Sequence, residues 1–186
     1  MWWRQTTRQF EANKGEGNRL AFKALVDAGE EPGLLAYVDG EPIGWCAVAP
    51  RASYSRLGRS RTLRAIDDRP VWSVTCFYVA RPHRRRGVTG ILIRAAIDFV
   101  RARGGRILEG YPIVPAKERA PDAFAYTGLI SAFEAAGFRE VARPSPTRAI
   151  VRYEIDVGSG SQSGSPNRTT ISPSSTLPVR RKPRLA

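Results

Sequence analysis

A mixed α/β domain built on a largely antiparallel sheet is predicted by three features of the sequence. Two apolar runs, GLLAYV and PIGWCAVA, flank Asp39-Gly40, a pair that accepts the positive φ angles of a tight hairpin turn. Residues 71–79 (VWSVTCFYV) are β-branched or aromatic on both faces, as in a strand covered on both sides in the middle of a sheet. From Val88 onward Ile91, Leu92, Ala95, Ala96 and Phe99 recur at the spacing of one helical face, and Gly104-Gly105 follows as a stop.

The remaining elements follow in chain order. Residues 18–28 (NRLAFKALVDA) set Leu20, Ala21, Ala24, Leu25 and Ala28 on one face, with Gly29 as a stop, so a helix is predicted there. The hairpin comes next, and then residues 51–70, which are polar, arginine-rich and without clear period, read as a long loop or short helix. The central strand ends at Ala80-Arg81-Pro82, where proline blocks further pairing. After the long helix, RILEGYPIV reads as a strand and residues 129–136 as a short helix closed by Gly137. FREVARPS and RAIVRYEI read as two closing strands. From Gly158 the chain is rich in Ser, Gly and Pro and poor in large apolar residues, so it cannot bury enough surface to offset its ordering entropy. The reading is therefore one domain over 1–157 and a disordered basic tail over 158–186.

Charge and cysteine usage narrow the class. The chain of 186 residues carries a formal +13, of which five charges lie beyond Gly158 and +8 remain on the rest, a balance that suits an anionic partner of any size. Cys46 and Cys76 both sit in apolar runs, which favours buried thiols in a reducing, cytoplasmic setting over a disulfide framework. Nothing approaches the roughly 20 apolar residues of a membrane span, and MWWRQTTRQF lacks the apolar core of a signal peptide, so no membrane partner is expected. One histidine and two separated cysteines offer no metal-ligand spacing, so no metal is expected.

The stretch RPHRRRGVTG lies between the central strand and the long helix. The first helical N–H groups have no intrahelical partner, and the helix dipole makes that end partly positive. Arg84, Arg85 and Arg86 nevertheless precede it, and no acidic residue follows before Asp98, an arrangement that is unfavourable until an anion arrives. Gly87 and Gly90 let a phosphate approach the backbone, with Val88 and Thr89 contributing amides between them and guanidinium groups adding charge-assisted bonds from outside.

Arg84-x-x-Gly87-x-Thr89, after a strand and opening a helix, resembles the acetyl-CoA pyrophosphate loop of the GNAT family of N-acetyltransferases, with Thr89 in place of the usual small residue. The likeness runs from the DG hairpin through EAAGF to the last strand, most of residues 18–155. It implies a bulged central strand splayed from its neighbour, with the pantetheine arm of acetyl-CoA inserted beside Phe77, Tyr78 and Val79. It also implies a strand and helix ahead of the region matched, so the first strand here is short or missing. By the same likeness the acid for the leaving thiolate is a tyrosine four residues before Gly137, where this chain has Phe133. The strand carboxylate used as base falls at Ser73.

Direct transfer from a thioester to an amine needs a neutral amine and a protonated or stabilised leaving thiolate, but no covalent intermediate. Glu109, inside an apolar strand, is the candidate base, with pairing to an arginine or plain exposure on a sheet edge as the alternatives. Tyr111 and Tyr126 are the candidate replacement acids, and Tyr126 also falls where the family often has a cofactor-contacting asparagine. Cys76 and His83 give no paired nucleophile, and Asp67-Asp68 reads as a turn. Arginines at 51, 56, 59, 61 and 64 hint at a negatively charged acceptor. The expected function is acetyl-CoA-dependent acetyl transfer to an amine of a small molecule or protein. The alternatives are a non-catalytic acyl-CoA-binding module and, less favoured, a basic nucleic-acid-binding protein; a homodimer is compatible with either reading.

Overall fold

Two helices, α1 (Thr7–Ala12) and α2 (Glu16–Asp27), lead into a hairpin of β1 (Gly33–Val38) and β2 (Glu41–Pro50). A 3-10 turn (Arg51–Ser53) and the short α3 (Ser55–Arg59) follow, then β3 (Trp72–Val79), a second 3-10 turn (Arg81–His83) and the long α4 (Val88–Ala102). The chain continues through β4 (Ile107–Gly110), α5 (Ile130–Glu134), β5 (Arg139–Ser145) and β6 (Arg148–Glu154). The computed structural model describes residues 1–115 and 126–156, with the backbone of β7 (Thr169–Thr170); the rest of the segment read as a tail lies outside the described residues.

One seven-stranded sheet runs in the order β5-β6-β4-β3-β2-β1-β7. The pairs β3–β4 and β1–β7 are parallel and the others antiparallel, so the mixed, largely antiparallel sheet is as expected. The hairpin turns through Asp39 (φ 50°) and Gly40 (φ 84°), the left-handed pair that the Asp-Gly sequence supplies cheaply.

The core lies between the sheet and α4. That helix buries Val88, Leu92, Ile93, Ala96, Ile97, Phe99 and Val100, while Ile91 and Ala95 are only half-buried. The buried stripe is thus rotated slightly from the spacing read in the sequence, with Ile93 joining Leu92 in the core cluster that includes Cys46, Val48 and Val74 of the sheet. Helix α2 starts at Glu16, two residues earlier than predicted, with Gly15 (φ 78°) at its cap, and buries no residue fully. Phe22 stacks edge-on against Trp45 at 5.7 Å, while Leu20 stays about half exposed (51%). Among the described residues no strand precedes β1; the chain ahead of it is helical.

The sheet opens at its centre. Strands β3 and β4 pair only at Trp72↔Leu108, Ser73↔Glu109 and Val74↔Gly110, whereas β3 stays on β2 as far as Val79. A bulge forms at the same point: Ala47 faces Cys76 and Val48 faces Val74, which leaves Thr75 unpaired on β3. Beyond Gly110, Pro112 has no N–H for a ladder, and Ile113 bonds to Gly128 and faces Leu129 instead. The half of β3 from Cys76 to Val79 therefore has one edge free of β4.

Candidate active site

That free edge and the start of α4 line a single cleft of about 700 Å³. Phe77, Tyr78 and Val79 form one wall, and Arg84, Arg85 and residues 87–90 another. The Ala80 amide donates to the Ile43 carbonyl at 2.8 Å, so Val79 directs its own backbone groups away from β2, and its carbonyl accepts Arg84 Nε at 3.1 Å. Gly87 caps α4 in the left-handed conformation (φ 78°) without a side-chain cap, and no acidic residue sits in the first turn. A Cβ at Gly87 would meet nothing within 4 Å, so what glycine supplies there is conformation and clear approach to the amides. His83 and Arg94 also line the cleft, while Arg86 is exposed and outside it.

Glu109 faces another way. It is fully buried, and its carboxylate accepts Arg51 Nη1 (3.0 Å), Arg152 Nε (2.8 Å) and the Tyr111 hydroxyl (2.6 Å). Arg51 also donates to Tyr111 Oη and to the Leu63 carbonyl at 2.6 Å each, and the Ser73 hydroxyl pairs with Tyr111 at 2.8 Å. Burial, followed by the nearby Glu109 charge, pushes the Tyr111 phenol well above its ordinary range, so it stays a neutral donor. Glu109, Tyr111 and Ser73 thus form a closed network between β3, β4 and β6, and none of them lines the cleft. The arginine pairing weighed for Glu109 is what its geometry contains. Phe133, at the position of the expected tyrosine, is a core ring: it is fully buried, with T-shaped contacts to Phe77 and Phe138. A Cβ at Gly110 would come within 2.3 Å of one of its edges, and a Cβ at Gly128 within 2.8 Å of the other.

Asp67 closes the network at the surface, taking Arg152 Nη1 and Nη2 at 2.6 and 3.2 Å. Burial works against the Arg152 charge, but Asp67 and Glu109 more than offset it. The contact with Arg152 in turn holds the Asp67 carboxyl far below the usual carboxylate range. A folded pKa below the unfolded one gives stability that is complete above the ordinary aspartate range and is lost as pH falls below it. Between about pH 4 and pH 2, wild-type stability is expected to fall more steeply than that of Asp67→Asn, as followed by circular dichroism; equal slopes would remove Asp67 from the acid response.

Tyr126 occupies a junction. It lines the cleft together with two further cavities: an aromatic pocket of about 420 Å³ and a basic basin of about 690 Å³. The aromatic pocket is walled by Trp2, Trp3, Phe10, Phe22, Trp45 and Tyr54, and it reaches the bulge at Thr75 and Cys76. Arg8, Arg56, Arg59 and Arg148 line the basin, and none of the four is in an ion pair among the described residues. No Asp or Glu is among the described residues lining any of the three. Cys76 lines the aromatic pocket and His83 the cleft, so the two do not share a site. Cys46 is enclosed, and burial pushes its thiol up to about 12. Among the described residues no cluster of His, Cys, Asp and Glu could hold a metal, and no helix is long and apolar enough to cross a membrane.

The fold and this cleft are consistent with an acyl-CoA-dependent acyltransferase, the class that the family match shows. The chain belongs to the acetyltransferase (GNAT) family, whose model matches residues 1–115; it is an N-acetyltransferase that draws its acetyl group from acetyl-CoA. Solved structures are similar at low identity. A GNAT-family protein from Desulfovibrio desulfuricans is 17% identical over 64% of this chain and 65% of its own, with a TM-score of 0.43. The ribosomal-protein-alanine N-acetyltransferase of Brucella melitensis is 18% identical over 75% and 77%, with a TM-score of 0.47. Ard1 from Thermoplasma volcanium is 16% identical over 79% and 85%, also at 0.47. No curated protein matches the chain. The family match, and not these distant likenesses, carries the assignment.

Of the residues singled out in the sequence, the structure brings together Phe77, Tyr78, Val79, Arg84, Arg85, Gly87, Val88, Thr89, Gly90 and Tyr126. It leaves Arg86 outside, and it puts Glu109 and Tyr111 in the buried network. Sequence reasoning missed Arg94, although it lies four residues after Gly90, one helical turn along the same face. It also missed Tyr54, Thr75 and Trp45, for which only the unusual Trp2-Trp3 pair hinted at an aromatic pocket.

Proposed function

We propose that the acetyl group passes directly to an amine, with the pyrophosphate of acetyl-CoA seated on residues 84–90 and its pantetheine arm along Phe77, Tyr78 and Val79. One observation carries this reading: a single cleft joins the freed edge of β3 to the unprotected amides of α4. Acetyl-CoA supplies a thioester carbonyl as electrophile. The residues supply an anion seat, backbone partners for the amides of the arm and, at Tyr126, a hydroxyl where the cleft meets the neighbouring cavities. The amine lone pair forms the C–N bond as the C–S bond breaks. The Tyr126 hydroxyl gives its proton to the departing sulfur and regains one as the new ammonium loses its proton to water. The acetyltransferase is assigned to residues 1–157, to whose sheet Thr169–Thr170 of the basic segment 158–186 add an edge strand on β1, so that segment is not disordered throughout as the sequence suggested, and two free cysteines accord with a reducing cytoplasm.

Gly87→Val tests the anion seat. Forcing a left-handed φ on a side chain costs roughly 1–2 kcal/mol of stability. Blocked amides are expected to cost acetyl-CoA affinity about tenfold or more by calorimetry. Unchanged affinity would move the phosphates off this turn.

A further inference from the structure

Neither the family nor the cofactor cleft says what the acceptor is, but the aromatic pocket does. Thr75 is the unpaired bulge residue of β3, and Tyr54 follows the 3-10 turn after β2; they are 0% and 2% exposed. Both line the pocket, and neither Thr75 Oγ1 nor Tyr54 Oη completes a hydrogen bond of normal geometry. Burial dominates the upward push on the Tyr54 phenol, and the adjacent Thr75 hydroxyl acts against it, so the two hydroxyls are neighbours on the pocket wall. Unpartnered buried hydroxyls are a standing cost to the free protein, and native structures keep few of them without a reason.

The rest of the wall has no carboxylate and is apolar apart from two basic groups, Arg4, which stacks over the Tyr54 ring at 5.2 Å, and the α-amino group of Met1, whose pKa burial lowers. We infer that this pocket holds the acceptor, a primary amine on one aromatic or similarly apolar body without a second positive charge, bound through Tyr54 Oη and Thr75 Oγ1. This rests on the N-acetyltransferase reading above. The two hydroxyl oxygens accept the amine's N–H bonds and leave its lone pair free to point toward Tyr126, where the pocket meets the cofactor cleft. An apolar enclosure disfavours the ammonium form, so desolvation does what a carboxylate base would otherwise do. Arg4 and the arginines of the adjoining basin repel a second cation, which turns polyamines away. The volume of about 420 Å³ suits one arylalkyl group.

The test uses the full chain with acetyl-CoA and four amines: phenethylamine, tryptamine, ethanolamine and spermidine, followed by thiol release. The two arylalkylamines are expected to show kcat/KM at least about tenfold above the other two. Thr75→Val and Tyr54→Phe should each raise the phenethylamine KM roughly fivefold to tenfold with acetyl-CoA affinity retained. Both variants should keep or raise Tm, because each deletes an unpartnered hydroxyl; a hydroxyl that only braces the fold would lower it. Independently of turnover, phenethylamine should quench tryptophan fluorescence saturably in CoA-saturated protein, since Trp2, Trp3 and Trp45 line the pocket. Preference for ethanolamine or spermidine, absence of saturable quenching, or an unchanged KM in both variants would overturn the acceptor assignment while leaving N-acetyl transfer intact. Failure of acetyl-CoA itself to bind would overturn the reading beneath it.

Discussion

Tyr126→Phe is expected to lower kcat about 100-fold, the usual size of a lost general acid. Acetyl-CoA affinity should change by no more than the roughly tenfold of one neutral hydrogen bond. The reason is positional: Tyr126 lines the cofactor cleft, the aromatic pocket and the basic basin at once. The position where the family places its acid is filled by Phe133, clamped between two glycine backbones in the core. A thioester of a more acidic thiol needs less protonation on leaving, so such a donor should recover most of the lost rate in the variant. A role in packing alone predicts no such rescue, and a kcat within about threefold of wild type would take the acid assignment away from Tyr126.

Glu109→Gln is expected to destabilise the fold by about 3–5 kcal/mol, because it strips the charge from a buried carboxylate shared by two arginines. The Arg152 side chain is 3% exposed and would keep Asp67 alone, while Arg51, at 14%, would lose its carboxylate. Thermal unfolding should show Tm lower by roughly 10 °C or more. Adding Arg51→Gln should cost less than the sum of the two single changes, since both break the same contact. The competing role as general base makes the opposite forecast: kcat lost about 100-fold with Tm unmoved.

The proposed anion seat was legible because its signals are local. A strand end at Pro82, a left-handed glycine at 87 and arginines where a solvated helix would carry acids all fall within one stretch, and each has its physical reason there. The hairpin, β3 and α4 were legible on the same terms, since turn chemistry and apolar period are properties of adjacent residues. Helix α1 escaped notice because six residues with no buried side chain leave no periodic trace; a capping box at Thr6 and Gln9 holds its start instead.

The roles of the polar residues were decided by the tertiary structure. Glu109 in an apolar strand reads as a base, as half of an ion pair or as an exposed edge residue. Only the sheet register, which sets Ser73 and Arg152 on either side of it, and the fold of residues 51–63, which brings in Arg51, made it the second. The acceptor pocket likewise joins residues from the first four positions, from α1, α2, β2 and the β3 bulge, groups that no local pattern links. Sequence by itself picked out the turn to which we assign the anion, because that chemistry belongs to one turn. What sits beside the reacting bond depended on which distant side chains meet where β3 leaves β4, and that is a property of packing alone.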